Sequence, residues 1–455
     1  MSNKSFSLSG MPDLSSIEVK KREYVLNVMK KIFEKYGFQP LETPAIEKRE
    51  VLIGNYGSDA DKLVYQLLKS GDFLSKVDSQ LLNSDYNTLS SVISDKALRY
   101  DLTIPFARYI SKNQSSINFP YKRYQMQKVW RADRPQKGRL REFTQCDADI
   151  IGSDSHWLEI DLIKVYDEVF FDLGLENVIL KINNRKILEG LFKIFSSDLK
   201  FTEFCIALDK IEKKGKNYFI DFLKKNKVSK KNILLFELLL KQSISINDLD
   251  SFFSKKIKSK NDFIDQGVSD TIAVFSRLGN LKCLKIEFDL SLARGLNYYT
   301  GLIFEVLNSK VSIGSIGGGG RYDNLTSIFG KNIGSGAGIS FGLERIIICL
   351  NELNLFPKFL YDSLDVLFVN LGDKEAILSQ NYIDKLRSFN YSCELYPDNV
   401  KLKKQLSYAN KRNVRYIAII GEDELKSNKI TLKNMSNGDQ HKLNFNDLIN
   451  FFKNE

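Results

Sequence analysis

From Glu18 onward the apolar residues Val25, Met29, Ile32, Phe33 and Tyr36 recur at the three- and four-residue spacing of one helix face, and Gly37 follows where a helix ends. This predicts an amphipathic helix running into the extended segment FQPLETPAI, whose two prolines suit a strand near an edge or interface. Residues 97–152 alternate short apolar stretches with dense Arg, Asp and Gln, an unusual charge density for a plain core sheet, where every buried polar atom needs a partner. Between about 186 and 275 the pattern shifts to lysine-rich amphipathic helices such as FIDFLKK and ILLFELLLK, which read as an inserted helical module. Strand-like sequence returns at LKIEFDLSLARG and continues through YYTGLIFEVL and SIGGGGRYDNL. It ends in GAGISFGLERIIICLNEL, a strand passing into a helix. After Pro357 the short strands DVLFVNL, SCELYP and YIAIIG are separated by helices near 374–388 and 400–412, with a last helix at 446–453. That alternation predicts a compact α/β domain of about 90 residues.

Length and composition narrow the class. A chain of 455 residues exceeds what one hydrophobic core usually covers, so two or three domains are expected. With 43% hydrophobic and 27% charged residues, wholesale disorder is excluded. No apolar run approaches the roughly 18 to 20 residues of a membrane-spanning helix. The start, MSNKSFSLSGMPDL, has neither the apolar core of a secretory signal nor the pattern of a transit peptide, so a cytoplasmic location is expected. Cys146, Cys205, Cys283, Cys349 and Cys393 are widely spaced with no C-x-x-C pair, and are expected to be buried free thiols. His156 and His441 lie far apart without ligand spacing, so both are expected to be structural and no metal site is expected. Lys plus Arg exceed Asp plus Glu by 67 to 56, which suits a polyanionic partner. Residues 196–262 hold fifteen lysines against nine acids, a pattern that fits either a solvated helix face or contact with nucleic acid.

No G-x-x-x-x-G-K-[ST] loop occurs, so a bound nucleotide would not have its phosphates held by a P-loop. The segment YKRYQMQKVWRADRPQKGRLREFTQCDADIIG offers another way. It places Arg131 at the end of one strand and Phe143, Gln145 and Asp149 along a second, joined by a basic loop. Such a hairpin presents an arginine fork to a phosphate and an aromatic face to a base. This hairpin resembles motif 2 of class II aminoacyl-tRNA synthetases, GAGISFGLERI resembles their motif 3, which ends here in Arg345, and KKIFEKYGFQPLETP resembles motif 1, their dimer-forming element. Two further segments, LARGLNYYTGLIFEV and GGGGRYDNL, resemble the two signatures of histidyl-tRNA synthetases, and ALRYDLTIPFARY resembles their amino-acid-binding strand.

The resemblance implies an α+β fold: a class II antiparallel sheet flanked by helices, a helical insertion, and a C-terminal α/β anticodon-binding domain. The implied boundaries are residues 1–195 and 276–355 for the catalytic core, 196–275 for the insertion and 363–455 for the anticodon-binding domain. It implies a homodimer that uses ATP and Mg²⁺ to activate L-histidine and transfers it to histidine tRNA. Chemically, the substrate's own carboxylate is the nucleophile, so the scarcity of histidine side chains is no obstacle. What the protein must supply is positive charge and tight positioning of two anions. By the same resemblance Arg131 contacts the α-phosphate, Arg345 the γ-phosphate and Phe143 the adenine, while Arg294 bridges carboxylate and α-phosphate during attack. Histidine is implied to bind Asp101, Leu102, Thr103, Arg131, Gln145 and Arg294, with Asp149, Tyr298 and Tyr299 near the imidazole. Gly317 to Gly320 are expected to allow close approach of a strand or positive φ values. Asn297 departs from the family's usual aspartate, keeping the shape and one acceptor while losing the charge.

Two rival readings share parts of this pattern. A non-catalytic regulatory subunit of ATP phosphoribosyltransferase has the same catalytic fold but generally lacks the C-terminal domain, which this chain has. A synthetase for threonine or proline is disfavoured by the two histidine signatures.

Overall fold

The computed structural model describes residues 7–54, 61–194, 199–241, 244–257, 261–293, 298–361 and 364–454. The chain forms two compact units, Met1–Leu355 and Phe356–Glu455.

The first unit is organised by an eight-stranded sheet of β1 (Gln39–Pro40), β2 (Tyr121–Trp130), β3 (Glu142–Ile151), β4 (Val178–Asn184), β5 (Leu284–Phe288), β6 (Leu302–Asn308), β7 (Gly317–Tyr322) and β8 (Gly336–Gly342). Their spatial order is β1-β2-β3-β8-β7-β6-β4-β5. Only the two outermost pairs, β1 with β2 and β4 with β5, are parallel; every pair between them is antiparallel. The short strands Ile46–Lys48, Gln66–Leu68 and Ser94–Leu98 make a separate antiparallel sheet that the apolar pattern did not reveal, because their residues are mostly solvent-facing and polar.

The predicted N-terminal helix spans Ser16–Lys35 and buries Val25, Met29, Ile32 and Phe33. Glu18 reaches back to the Ser15 N–H at 2.7 Å to close its first turn, and Gly37 leaves it at φ +79°. Phe33 stacks on Tyr124 at 5.4 Å and meets Phe341 at 5.8 Å. The helix Trp157–Asp172 covers the same face through Tyr166, 4.6 Å from Phe341 between ring centres. Side chains alternate along a strand, so Phe341 faces these helices while its neighbour Ser340 faces the other side of the sheet.

Between the adjacent strands β4 and β5 the chain makes an excursion through helices that include Phe201–Asp209, Lys216–Lys225 and Lys230–Lys241. They enclose a core of their own, in which Phe204, Phe219 and Phe236 are fully buried with ring centres 5.3 to 5.7 Å apart. The lysines of this region lie mainly on the outer faces, as at Lys224, Lys225 and Lys230, while Lys213 lines a cleft.

The second unit is a five-stranded sheet of β9 (Leu364–Phe368), β10 (Cys393–Leu395), β11 (Val414–Ile419), β12 (Ile430–Asn434) and β13 (Gln440–Leu443), ordered β10-β9-β11-β12-β13. Both faces are covered: Val366 and Phe368 enter one apolar layer, Leu367 and Val369 the other. The predicted strands and helices are present. The hairpin β12–β13 was not anticipated, since β13 is largely exposed and carries no apolar alternation; its turn signal is Asn437-Gly438, with Gly438 at φ +84°.

Candidate active site

The neighbouring strands β3, β8 and β7 build the floor of a cleft of about 830 Å³. Gln145, Asp147 and Asp149 alternate along β3 and so share one face. Opposite them on β2 stand Gln127, Gln125 and Arg123, and on β8 Gly342, Ser340 and Gly338. Asp149 therefore lies between an arginine and a glycine. The Arg123 Nη2 is 2.8 Å from Asp149 Oδ2, and the Tyr322 hydroxyl donates to Asp149 Oδ1 at 2.9 Å. Arg123 is 0% exposed and its guanidinium rests 4.3 Å from the centre of the Phe106 ring. On the other side the carboxylate occupies the space a side chain would fill: a Cβ at position 338 would lie 2.0 Å from Asp149 Oδ1.

The glycine run forms β7 in extended conformation. None of Gly317 to Gly320 has positive φ, so close approach is the reason for them. A Cβ at Gly319 would lie 2.2 Å from the Gly338 carbonyl oxygen. The following Arg321 is locked by Glu159, with its Nε and Nη2 donating to the two carboxylate oxygens at 2.5 and 2.6 Å, which anchors β7 from behind.

Arg131 leaves the end of β2 with its Nε donating to the Tyr100 carbonyl at 3.0 Å. Its guanidinium lies 4.3 Å from the Tyr100 ring and 5.1 Å from the Phe143 ring. Its Nη2 is 3.4 Å from Gln145 Oε1. Arg345, in the helix after β8, donates through Nε to the Gly138 carbonyl at 3.0 Å and through Nη1 to that of Ser315 at 2.7 Å. Tyr298 faces Thr103, hydroxyl to hydroxyl, at 3.5 Å.

Nine of the residues singled out by sequence, Asp101, Thr103, Arg131, Phe143, Gln145, Asp149, Tyr298, Tyr299 and Arg345, thus line one cleft. Leu102 is fully buried and does not line it. Arg294 and Asn297 lie outside the described residues. His156, beside Asp270 at 3.5 Å, does not line the cleft, and His441 belongs to the second unit, against the Phe451 ring. Cys146, Cys205, Cys349 and Cys393 are buried free thiols and Cys283 is half-buried.

Sequence reasoning passed over Arg123, Asp147 and Ser340. Asp147 is 3% exposed, and burial, the largest cause, pushes its carboxyl up to about 7 against the pull of Arg123; Asp149 raises it further. Burial also raises Asp149, opposed by Arg123. The guanidinium touches Asp149 directly and opposes the rise at both carboxyls. The floor carries more acid than base, an arrangement that favours a cationic ligand.

Gly338→Ala is expected to displace the Asp149 carboxylate and raise the KM for an amino-acid substrate by about tenfold or more, with the KM for nucleotide within about twofold. Equal changes in both constants would show general damage to the sheet.

The family model described as Histidyl-tRNA synthetase matches residues 94–346, and the one described as Anticodon binding domain matches residues 365–455. A curated histidine--tRNA ligase of Christiangramia forsetii is 46% identical over 454 residues, covering 98% of each chain. One of Bacteroides fragilis is 44% identical, covering 97% of each. Among solved structures, the histidyl-tRNA synthetase from Nostoc sp. PCC 7120 superposes with a TM-score of 0.80 at 28% identity, covering 99% of each chain. An ATP phosphoribosyltransferase regulatory subunit/histidyl-tRNA synthetase from Bacillus halodurans superposes at 0.72 with 18% identity, a likeness of fold alone. On near-full-length identity of this order, the chain belongs to the histidyl-tRNA synthetase family.

Proposed function

We propose that this protein is a histidine–tRNA ligase, activating histidine with ATP in the cleft and transferring it to the 3′ end of histidine tRNA. The observation that carries the reading is the convergence of nine expected contact residues on one cleft. The histidine carboxylate attacks the α-phosphorus, a P–O bond to pyrophosphate breaks, and histidyl-adenylate results. A hydroxyl of the tRNA's terminal ribose then takes the histidyl group and AMP leaves. Arg131, held by the Tyr100 carbonyl, is the fixed positive charge at the α-phosphate, and its neighbour Phe143 offers its ring to the adenine. Arg345 receives the γ-phosphate, exchanging backbone carbonyls for a stronger, charged acceptor. Asp101, Thr103 and Gln145 take the ammonium, and Asp149 with Tyr298 and Tyr299 the imidazole. An acceptor left unpaired by an apolar side chain rejects it strongly. Arg294 completes the set from the signature segment.

Among the described residues no group of three His, Cys, Asp or Glu side chains is placed to hold a metal. This fits Mg²⁺ arriving on the triphosphate, which needs at most one or two carboxylates from the cleft wall, such as Glu305. When bound, the ion offsets phosphate charge. A homodimer is proposed to form through the segment near 20–45, which the exposed apolar Ile46 directly follows; sedimentation as a single chain would refute it. A cytoplasmic location suits this activity, and no described helix is long and apolar enough to cross a membrane.

The deciding experiment is ATP–pyrophosphate exchange with each amino acid in turn. Exchange with histidine alone is expected; exchange with none would favour the regulatory reading, and exchange with another amino acid a different ligase. Every proposed substrate contact precedes Leu350, so a chain ending at Leu355 is expected to keep pyrophosphate exchange within about threefold while aminoacylation falls by well over tenfold. Normal charging by that folded, truncated chain would remove residues 363–455 from tRNA recognition.

A further inference from the structure

Gln145 is the side chain proposed to accept from the substrate's ammonium, yet a primary amide offers a donor and an acceptor of nearly the same shape. Its surroundings decide which of the two faces the ligand. Gln145 Nε2 lies 3.3 and 3.4 Å from the two Asp147 carboxylate oxygens and 3.3 Å from Ser340 Oγ. Its Oε1 lies on the other side, 3.4 Å from Arg131 Nη2. Once ionised, above a pKa raised to about 7, the Asp147 carboxylate only accepts, and a guanidinium only donates, so both neighbours select the same orientation of the amide.

Stability alone does not account for Asp147. Among the described residues the buried guanidinium beside it, Arg123, is already engaged with Asp149 at 2.8 Å. A second carboxylate at 3% exposure is therefore costly to the empty protein. It stands in register between Gln125 and Ser340, on the strand face that forms the cleft floor. We infer that Asp147 is a positioning residue for histidine binding, holding the Gln145 amide with its carbonyl oxygen toward the cleft so that the substrate's α-ammonium donates to it. This rests on the cleft being the histidine site.

The test compares the full-length protein with Asp147→Asn, using two probes in calorimetric titrations. Histidinol keeps the ammonium and the imidazole but lacks the carboxylate; 3-(imidazol-4-yl)propionate keeps the ring and the carboxylate but lacks the ammonium. Asn both donates and accepts, so of the two neighbours Arg131 alone is left to favour one orientation of Gln145. Histidinol is expected to bind about tenfold more weakly to the variant, while the propionate changes by less than about twofold. Equal losses on both probes, or an unchanged affinity for histidinol, would overturn the inference. If a thermal melt shows the Asn variant unfolded, Asp147→Ser goes through the same comparison with the same expected split. Failure of the unaltered protein to bind either probe would instead refute the histidine-site reading, so the two failures are told apart.

Discussion

Arg294→Ala is expected to form histidyl-adenylate about 10²- to 10³-fold more slowly than the unaltered protein, while binding ATP and histidine within roughly tenfold. Negative charge on the α-phosphate oxygens grows as the carboxylate attacks, so a guanidinium fixed beside them strengthens its hold along the reaction coordinate. Arg294 belongs to the signature LARGLNYYTG, and the Tyr298 and Tyr299 that follow it line the cleft. Lysine is expected to restore little, since a point charge cannot make two parallel hydrogen bonds to carboxylate and phosphate. Single-turnover adenylate formation beside equilibrium binding of both substrates is the measurement. A near-normal rate would remove Arg294 from the reaction, and loss of the fold would make its role structural.

Arg123→Met is expected to destabilise the protein by about 3–5 kcal/mol, because it leaves the Asp149 carboxylate buried without its partner. Arg123 is also the group that pulls Asp147 and Asp149 down, so without it both carboxyls move further above their ordinary range. A carboxyl whose folded pKa exceeds its unfolded one binds more protons when folded. Its penalty is absent below the unfolded value near ~4 and grows as pH rises through the folded value. The difference in stability between Arg123→Met and the unaltered protein is thus expected to be largest above pH ~7 and to shrink toward pH ~5. Denaturant melts at the two pH values measure it. A difference that is the same at both, or under about 1 kcal/mol throughout, would show that the ion pair is not what the guanidinium contributes.

Periodic apolar positions made the long elements legible. The helix Ser16–Lys35 and the alternation of strands and helices after Leu364 follow from side chains that must be buried on one face. The hairpin carrying Arg131, Phe143, Gln145 and Asp149 was legible through its charged residues, and the structure brings these four to one cleft. Asp147 and Arg123 were available to the same reasoning. Strand alternation puts residue 147 on the face of 145 and 149, and a hairpin closed at Trp130 and Glu142 sets Arg123 opposite Asp149. What hid them was reading each residue for its own chemistry, when their parts in the site come from neighbours across the strands. Ser340 and Gly338 were beyond such reasoning, because the register of β8 against β3 joins segments some 190 residues apart with no short turn to set it.

The helical excursion between β4 and β5 bears on how this enzyme tolerates change. The two strands run parallel, so the excursion leaves β4 after Asn184 and returns to β5 at Leu284, at the opposite end of the pair, with an aromatic cluster of its own on the way. Closing a loop twice as long adds only about 0.6 kcal/mol, so the length of the excursion bears little on whether the two strands pair. Lengthening or replacement of its outer helices, Lys216–Lys225 and Lys230–Lys241, is therefore expected to leave the register of the catalytic strands intact, whereas a chimaera that preserves the reaction chamber keeps Asp209 and Lys213, which line the cleft.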